Sequence, residues 1–272
     1  MLISMACRYE QFLTDWYVKW CTALGYQAEV SPQVVVSYRK IWEFAAIIQA
    51  LQERDMLAPG RKGLGFAVGQ EPLSSFFANR GVEILATDLP DDIEGHWTQT
   101  GEHAASLNAL LHDGLVSAED FRRLVRFTPV NMNDLAALPN GEYDFLWSSC
   151  AMEHIGNLEK GTEFVKNSMR LLKPGGVAVH TTEFNCSSND ATVEEGWNVI
   201  YRRRDIERLA NELRLMRCGM ETLDFGIGTH AYDIDYDEPP YFTRSIPHIK
   251  LLIDGHVSTS FLMVIQKGPA LR

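Results

Sequence analysis

Residues 62–90 read "KGLGFAVGQEPLSSFFANRGVEILATDLP". Gly65, Ala67 and Gly69 alternate at the end of one apolar run, and Asp88 closes the next, 19 residues beyond Gly69 (88 − 69). An acid at that spacing is placed to hold the ribose hydroxyls of a nucleotide lying over the small-residue loop. Ala67 lets the backbone approach a ligand at a modest steric cost. Pro72 suits the first turn of a following helix, whose N-terminus presents free N–H groups and a positive dipole end. Glu71 selects among ligands. Its carboxylate would repel a pyrophosphate over the turn but not a phosphate-free ligand carrying a cationic sulfonium. On the loop alone, a plain strand–turn–helix stays open.

Groups suited to proton transfer lie further on. His154 sits in "MEHIGN", His180 ends "VAVH", and Glu183 follows three residues later. Histidine is matched to general-base work near neutral pH. The plainer readings are a helix-start residue bonded to backbone for His154 and a packed strand-end residue for His180. Elsewhere, Tyr236, Tyr241 and His248 in "THAYDIDYDEPPYFTRSIPHIK" suit a hydroxylated ligand, in a long connection of the kind that often forms a binding lid. Arg202 or Arg203 in "YRRRD" would pair a phosphate or carboxylate, or simply form a solvated cap. Lys40 and Trp42 in "YRKIWEF" would close over a ligand from an N-terminal helix.

The elements that position these groups alternate. Helical patterns span 9–24 and 37–57; in the second, Ile41, Ala45, Ile48 and Leu51 recur at helical spacing. Strand patterns follow at 63–67, 82–87, 125–130, 143–148 and 176–181, separated by helical patterns at 72–80, within 101–124 and at 158–172. Such alternation predicts a parallel sheet covered on both faces. A helix over 205–216, a strand near 220–225, an excursion to about 255 and a last strand at 256–266 predict an antiparallel final pair. The 272 residues, with no internal repeat or low-complexity linker, read as one domain: helical addition 1–60, core 62–225 and 256–267, excursion 227–250.

Composition narrows the function classes. Hydrophobic residues are 46% and charged residues 22%, ordinary for a globular protein. A net charge of -11 argues against a broad nucleic-acid surface. Five cysteines with no CxxC pair fit free thiols in a reducing compartment. With no basic-then-apolar leader and no apolar run of spanning length, the expected location is the cytosol.

The run "VNMNDLAALPNGEYDFLWSSCAMEHIGNLEKGTEFVKNSMRLLKPGGVAVHTTEFN" (130–185) resembles the class I S-adenosylmethionine-dependent methyltransferases, and with the 62–90 loop the resemblance covers about 62–225. "VNMNDLAALP" resembles the adenine-holding segment after the third strand, "EYDFLWSSCAMEHI" the fourth strand and its loop, and "LLKPGGVAVHTTE" the turn and fifth strand. The resemblance implies an α/β, Rossmann-like doubly wound sheet, mostly parallel with an antiparallel last strand. It implies S-adenosylmethionine as cofactor and S-adenosylhomocysteine as product. It places Gly65, Ala67 and Gly69 along the methionine and ribose side, Asp88 on the ribose and Leu89 on the adenine. Met132 would cover the adenine face, Asn131 or Asn133 would meet its exocyclic amine, and Ser148 and Ser149 would lie near the methionine portion. The chain departs from the family at Ala67, Glu71, Asn131 and Gly65, where an acid is common. Glu71 or Glu43 would then supply the charge for the methionine amino group.

The fourth-strand loop carries "SSCA" in place of the Asp/Asn-Pro-Pro-Tyr/Phe tetrapeptide used on planar amino groups. That favours an oxygen acceptor on a small molecule or glycan. The acceptor site is expected beside the fourth and fifth strand ends, with His154, His180 or Glu183 as base. Some family members hold a divalent metal here through Glu-x-x-Glu-His. Only Glu153 and His154 match, and Cys150 is a poor partner for Mg²⁺, so no metal is expected. The alternatives are an N- or C-methyltransferase of a metabolite, a non-catalytic methyltransferase-like binding protein, and an NAD(P)-dependent oxidoreductase. The sequence leaves oligomeric state open.

Overall fold

The computed structural model describes residues 1–26, 38–90 and 103–269. In chain order the strands are β1 (Ser4–Ala6), β2 (Lys62–Phe66), β3 (Glu83–Asp88), β4 (Val125–Pro129), β5 (Tyr143–Ser149), β6 (Gly156–Asn157), β7 (Leu172–Asn185), β8 (Glu195–Gly196), β9 (Cys218–Met220), β10 (Leu223–Asp224), β11 (Leu251–Ile253) and β12 (His256–Lys267). The helices are α1 (Asp15–Ala23), α2 (Arg39–Gln52), α3 (Leu73–Ala78), α4 (Ala118–Leu124), α5 (Leu158–Ser168), α6 (Arg203–Leu215) and α7 (Ala231–Ile234).

The main sheet runs β10-β1-β12-β7-β5-β2-β3-β4, with β9 and β11 also pairing β12. Strands β4, β3, β2, β5 and β7 are mutually parallel, and β12 is antiparallel to β7. Strand order reverses between β2 and β5, so the carboxyl ends of β2, β3, β5 and β7 open onto one crevice, the usual ligand edge of such sheets. The expected doubly wound sheet and antiparallel final pair are both present.

Alternation along the strands feeds two cores. Phe145, Trp147, Val177, Val179, Leu262 and Val264 pack with α1, α2 and α3 on one face. Leu146, Ala178, Phe261, Met263 and Ile265 pack with α5 and α6 on the other. In β2 the aromatics of β5 leave no room for side chains. A Cβ on Gly63 would lie 2.5 Å from the Phe145 ring, and one on Gly65 would lie 2.4 Å from Cζ2 of Trp147.

Two helices show how local sequence sets their ends. Asn157 caps α5 by accepting from the Lys160 N–H at 2.8 Å. Before α6, the Asp205 carboxylate accepts the Arg202 backbone N–H at 3.0 Å. Arg202 is buried between Asp205, Glu194 and the Asp190 carbonyl, and Arg203 pairs with Glu207. Both arginines are therefore engaged in fixing the start of α6. α3 is shorter than the sequence pattern implied, six residues, so its dipole has little to offer a ligand. Strand β1 was missed: three residues carry no readable period, and what fixes it is its place between β10 and β12.

All five cysteines are free thiols. Among the described residues no helix is long and apolar enough to cross a membrane.

The 227–250 excursion is built into the fold. Asp237 accepts from the His248 ring at 2.8 Å and from the Phe242 and Glu238 N–H groups. Tyr241 donates to the Leu252 carbonyl at 2.7 Å. The Arg39 N–H donates to the His248 carbonyl at 3.1 Å, which ties the excursion to the start of α2. His248 thus braces the start of α2, and the Tyr241 hydroxyl is engaged on β11.

Candidate active site

Helix α2 lies across the carboxyl ends of β5 and β7 and the amino end of the antiparallel β12, and lowers Glu43 into them. Glu43 is fully buried. It accepts hydrogen bonds from Ser149 Oγ (2.8 Å), Cys150 Sγ (3.0 Å), Thr181 Oγ1 (3.0 Å) and Ser260 Oγ, and Lys40 Nζ lies 3.3 Å away. Burial works to raise its pKa. The charges of Lys40 and Arg39 and the hydrogen bonds outweigh burial and hold it below the ordinary carboxylate value. Burial likewise disfavours the Lys40 ammonium, but Glu43 outweighs it and the lysine stays charged. Glu43, offered by the sequence as one possible holder of a ligand ammonium, is saturated by its own donors.

A second cluster sits beside the first. Cys150, the residue after β5, takes a left-handed φ of +45°. Cys150 Sγ and carboxylate oxygens of Glu153 and Glu183 all lie within 4.8 Å of one another, and all three residues are buried. Glu183 pairs with Arg39 and accepts from Ser258. Glu153 Oε2 accepts from Thr182 Oγ1 at 3.1 Å. Its other oxygen, Oε1, is buried with no hydrogen-bond partner among the described residues. Burial first, and then the charge of Glu183, push the Glu153 pKa up to about 8. The Cys150 thiol is pushed up as well, by burial and then by Glu153 and Glu43.

This donor set does not suit a hard cation. Arg39 already neutralises Glu183, the thiol is spent on Glu43, and His154 stands outside the group. His154 bonds the Trp197 carbonyl through Nδ1 at 2.7 Å and stacks on the Trp197 ring, centroids 4.9 Å apart.

His180 is placed differently from its sequence reading as a base. It is fully buried, and its Nδ1 is 2.8 Å from Ser148 Oγ. Its ring meets Phe164 edge-on, and burial lowers its pKa to about 3. It stays neutral and has no exposed face, because position 180 points to the α5 side while Thr181 and Glu183 point to α2. Ser148 goes with it; Ser149 joins Glu43.

At the β2–β3 end the loop turns through two left-handed residues. Ala67 has φ +44° and Gly69 +53°. Asp88 is fully buried. Its Oδ1 accepts the Leu89 N–H at 2.7 Å, and its Oδ2 accepts those of Gly69 (3.0 Å) and Ala104 (3.1 Å). The acid at the strand end pins the loop. Gly65 does not face open space, since Trp147 fills its side. The Trp147 indole N–H donates to Glu71 Oε1 at 2.5 Å. Met132 and Asn133 lie on a groove of about 570 Å³ lined also by Leu135, Phe164 and Glu159, with neither Asp88 nor the 65–69 loop on its wall. Asn131 Oδ1 caps the Asn133 N–H at 2.9 Å. Leu89 is half-buried, its carbonyl 2.7 Å from His103 Nε2.

Sequence reading missed Arg39, Trp147, Thr181, Thr182, Ser258 and Ser260. A signal was present. "HTTE" and "STS" put polar runs at the ends of otherwise apolar strands, and buried polar runs at a sheet's ligand edge need partners.

Residues 64–180 match the family model described as a methyltransferase domain. The curated protein sequences give no match. Among solved structures, the [4+2]-cyclase SpnF is 12% identical, covers 98% of this chain and 99% of its own, and superposes with a TM-score of 0.55. At this identity the likeness shows the fold alone. An S-adenosylmethionine-dependent methyltransferase from Methanosarcina mazei is 14% identical over 80% of this chain and 98% of its own, with a TM-score of 0.48. Phosphoethanolamine N-methyltransferase 2 from Haemonchus contortus, solved with S-adenosyl-L-methionine, is 13% identical over 81% of this chain and 52% of its own, with a TM-score of 0.49. The matched segment spans β2 to the middle of β7, where the loop and Glu153 lie, so this part of the chain is similar to methyltransferase domains and the fold is the Rossmann-like one of the expectation.

Proposed function

We propose that this chain methylates a hydroxyl of a small polar molecule or sugar, and that Glu153 takes the proton. The observation that supports this is the buried, unpartnered Oε1 of Glu153 at the end of β5, beside an anion, Glu183, that Arg39 holds in place. A buried acceptor oxygen left without a donor costs about 1–3 kcal/mol, so such a group is retained where a ligand satisfies it.

The cofactor supplies an electrophilic methyl group on sulfonium. The remaining work is positioning and proton removal. Two acids at the β2–β3 end, Glu71 and Asp88, suit a cationic, phosphate-free ligand. Thr182 orients Glu153 through Oε2, leaving Oε1 for the acceptor hydroxyl. Glu183 raises the basicity of Glu153 by repulsion, and α2 covers the site and excludes water. In this reading residues 1–272 form one domain, and the N-terminal helices complete the site.

Incubation with S-adenosylmethionine and matched panels of polyols, sugars, phenols and amines tests the proposal. The expected product gains one methyl group on oxygen, located by NMR. Methyl on nitrogen or carbon, from whichever panel, would refute the hydroxyl assignment.

A further inference from the structure

We propose that Glu71, carried on the Trp147 indole, receives the ammonium of the cofactor's amino-acid end, in place of an acid for which position 65 has no room. The inference rests on the methyl-donor reading above and adds the residue that recognises one end of the donor.

Three observations lead to it. First, position 65 is closed. A Cβ there would lie 2.4 Å from Trp147 Cζ2 and 2.5 Å from Val68 Cγ1, closer than any real contact, so no acid is possible at the end of β2. Second, the group that fills the space carries an acid of its own. Trp147 donates to Glu71 Oε1 at 2.5 Å and fixes that carboxyl. Glu71 Oε2 makes no hydrogen bond among the described residues, while the residue keeps 8% of its surface exposed. Third, the neighbouring acid is excluded as a substitute, because Glu43 already accepts from four side chains and faces Lys40.

The charges around Glu71 define how it responds. Lys40 lies on the attractive side, held by Glu43, with Glu43 itself, Asp88 and Tyr26 as the other titratable neighbours. Burial outweighs the Trp147 hydrogen bond and Lys40, and pushes the Glu71 pKa up to about 8. At neutral pH the carboxyl is therefore mostly neutral. An ammonium at Oε2 supplies the missing cation, Glu71 ionises, and one proton leaves to solvent. Binding of the amino-acid end is thus coupled to proton release.

The experiment compares two ligands by calorimetry. S-adenosylhomocysteine carries the ammonium; 5′-methylthioadenosine has the nucleoside but no amino-acid end. Glu71→Gln should weaken S-adenosylhomocysteine binding about 10- to 100-fold, the range for a hydrogen bond to a charged group, and leave methylthioadenosine unchanged. Glutamine has the shape of the neutral acid, so the fold should survive. Trp147→Phe, which removes only the N–H donor, should weaken the same ligand by a smaller factor. In wild type, S-adenosylhomocysteine affinity should rise from pH 6 to 8, with binding heat that depends on the buffer; both signs should vanish in Glu71→Gln. Equal loss of both ligands, or no loss, would overturn the assignment of Glu71. If wild type binds neither ligand, the donor reading itself fails, and this inference with it.

Discussion

Glu153→Gln should lower methyl transfer by about 10²-fold or more while S-adenosylhomocysteine affinity stays as in wild type. Glutamine keeps the Thr182 contact and the shape of the side chain but cannot accept a proton. In wild type the rate should rise with pH through about 8, because burial and Glu183 hold the Glu153 proton until then, and only the ionised form can act as base. Stability should run the other way. A carboxyl whose folded pKa is raised from 4.5 to about 8 contributes stability that is fully present below 4.5 and is lost as pH rises through 8. Glu71 contributes with the same sign. The Glu153→Gln variant should therefore show a flatter fall in unfolding free energy between those pH values, measured by urea titration. Undiminished turnover in this variant would move the base role to Glu183.

Glu43→Ala should destabilise the protein by about 3–5 kcal/mol, the range for removing one partner of a buried ion pair. The loss leaves Lys40 without its anion and four donors, on Ser149, Cys150, Thr181 and Ser260, without their acceptor. These donors come from β5, β7 and β12, so one side chain on α2 joins three strands at the site edge. Urea unfolding should show the drop as a lower midpoint with little change in slope. A change below about 1 kcal/mol would show that water replaces the carboxylate and that α2 is not anchored through it.

What could be read in the sequence follows from the range of the interactions. The strands around Gly65, Asp88 and Trp147 are marked by local apolar runs and by turn residues, and they appear where expected. The ligand edge followed from their alternation. Glu43 was visible as an acid in "YRKIWEF", but apart from Lys40 its hydrogen-bond donors lie from 106 to 217 residues away, and no local pattern reports them. The two histidines drew attention by type. Their faces depended on strand parity, which turned His180 toward Phe164 and Thr181 toward Glu43. Glu153 was read as half of a weak metal pair; only its burial and its unpartnered oxygen separate it from His154. Gly65 looked like a ligand-facing position until β5 paired beside β2 and put Trp147 over it.

The most direct test of the account is calorimetric titration of the wild-type chain with S-adenosylhomocysteine and, separately, with NADH. The expected result is saturable one-site binding of S-adenosylhomocysteine and no heat from NADH. NADH binding without S-adenosylhomocysteine binding would contradict it.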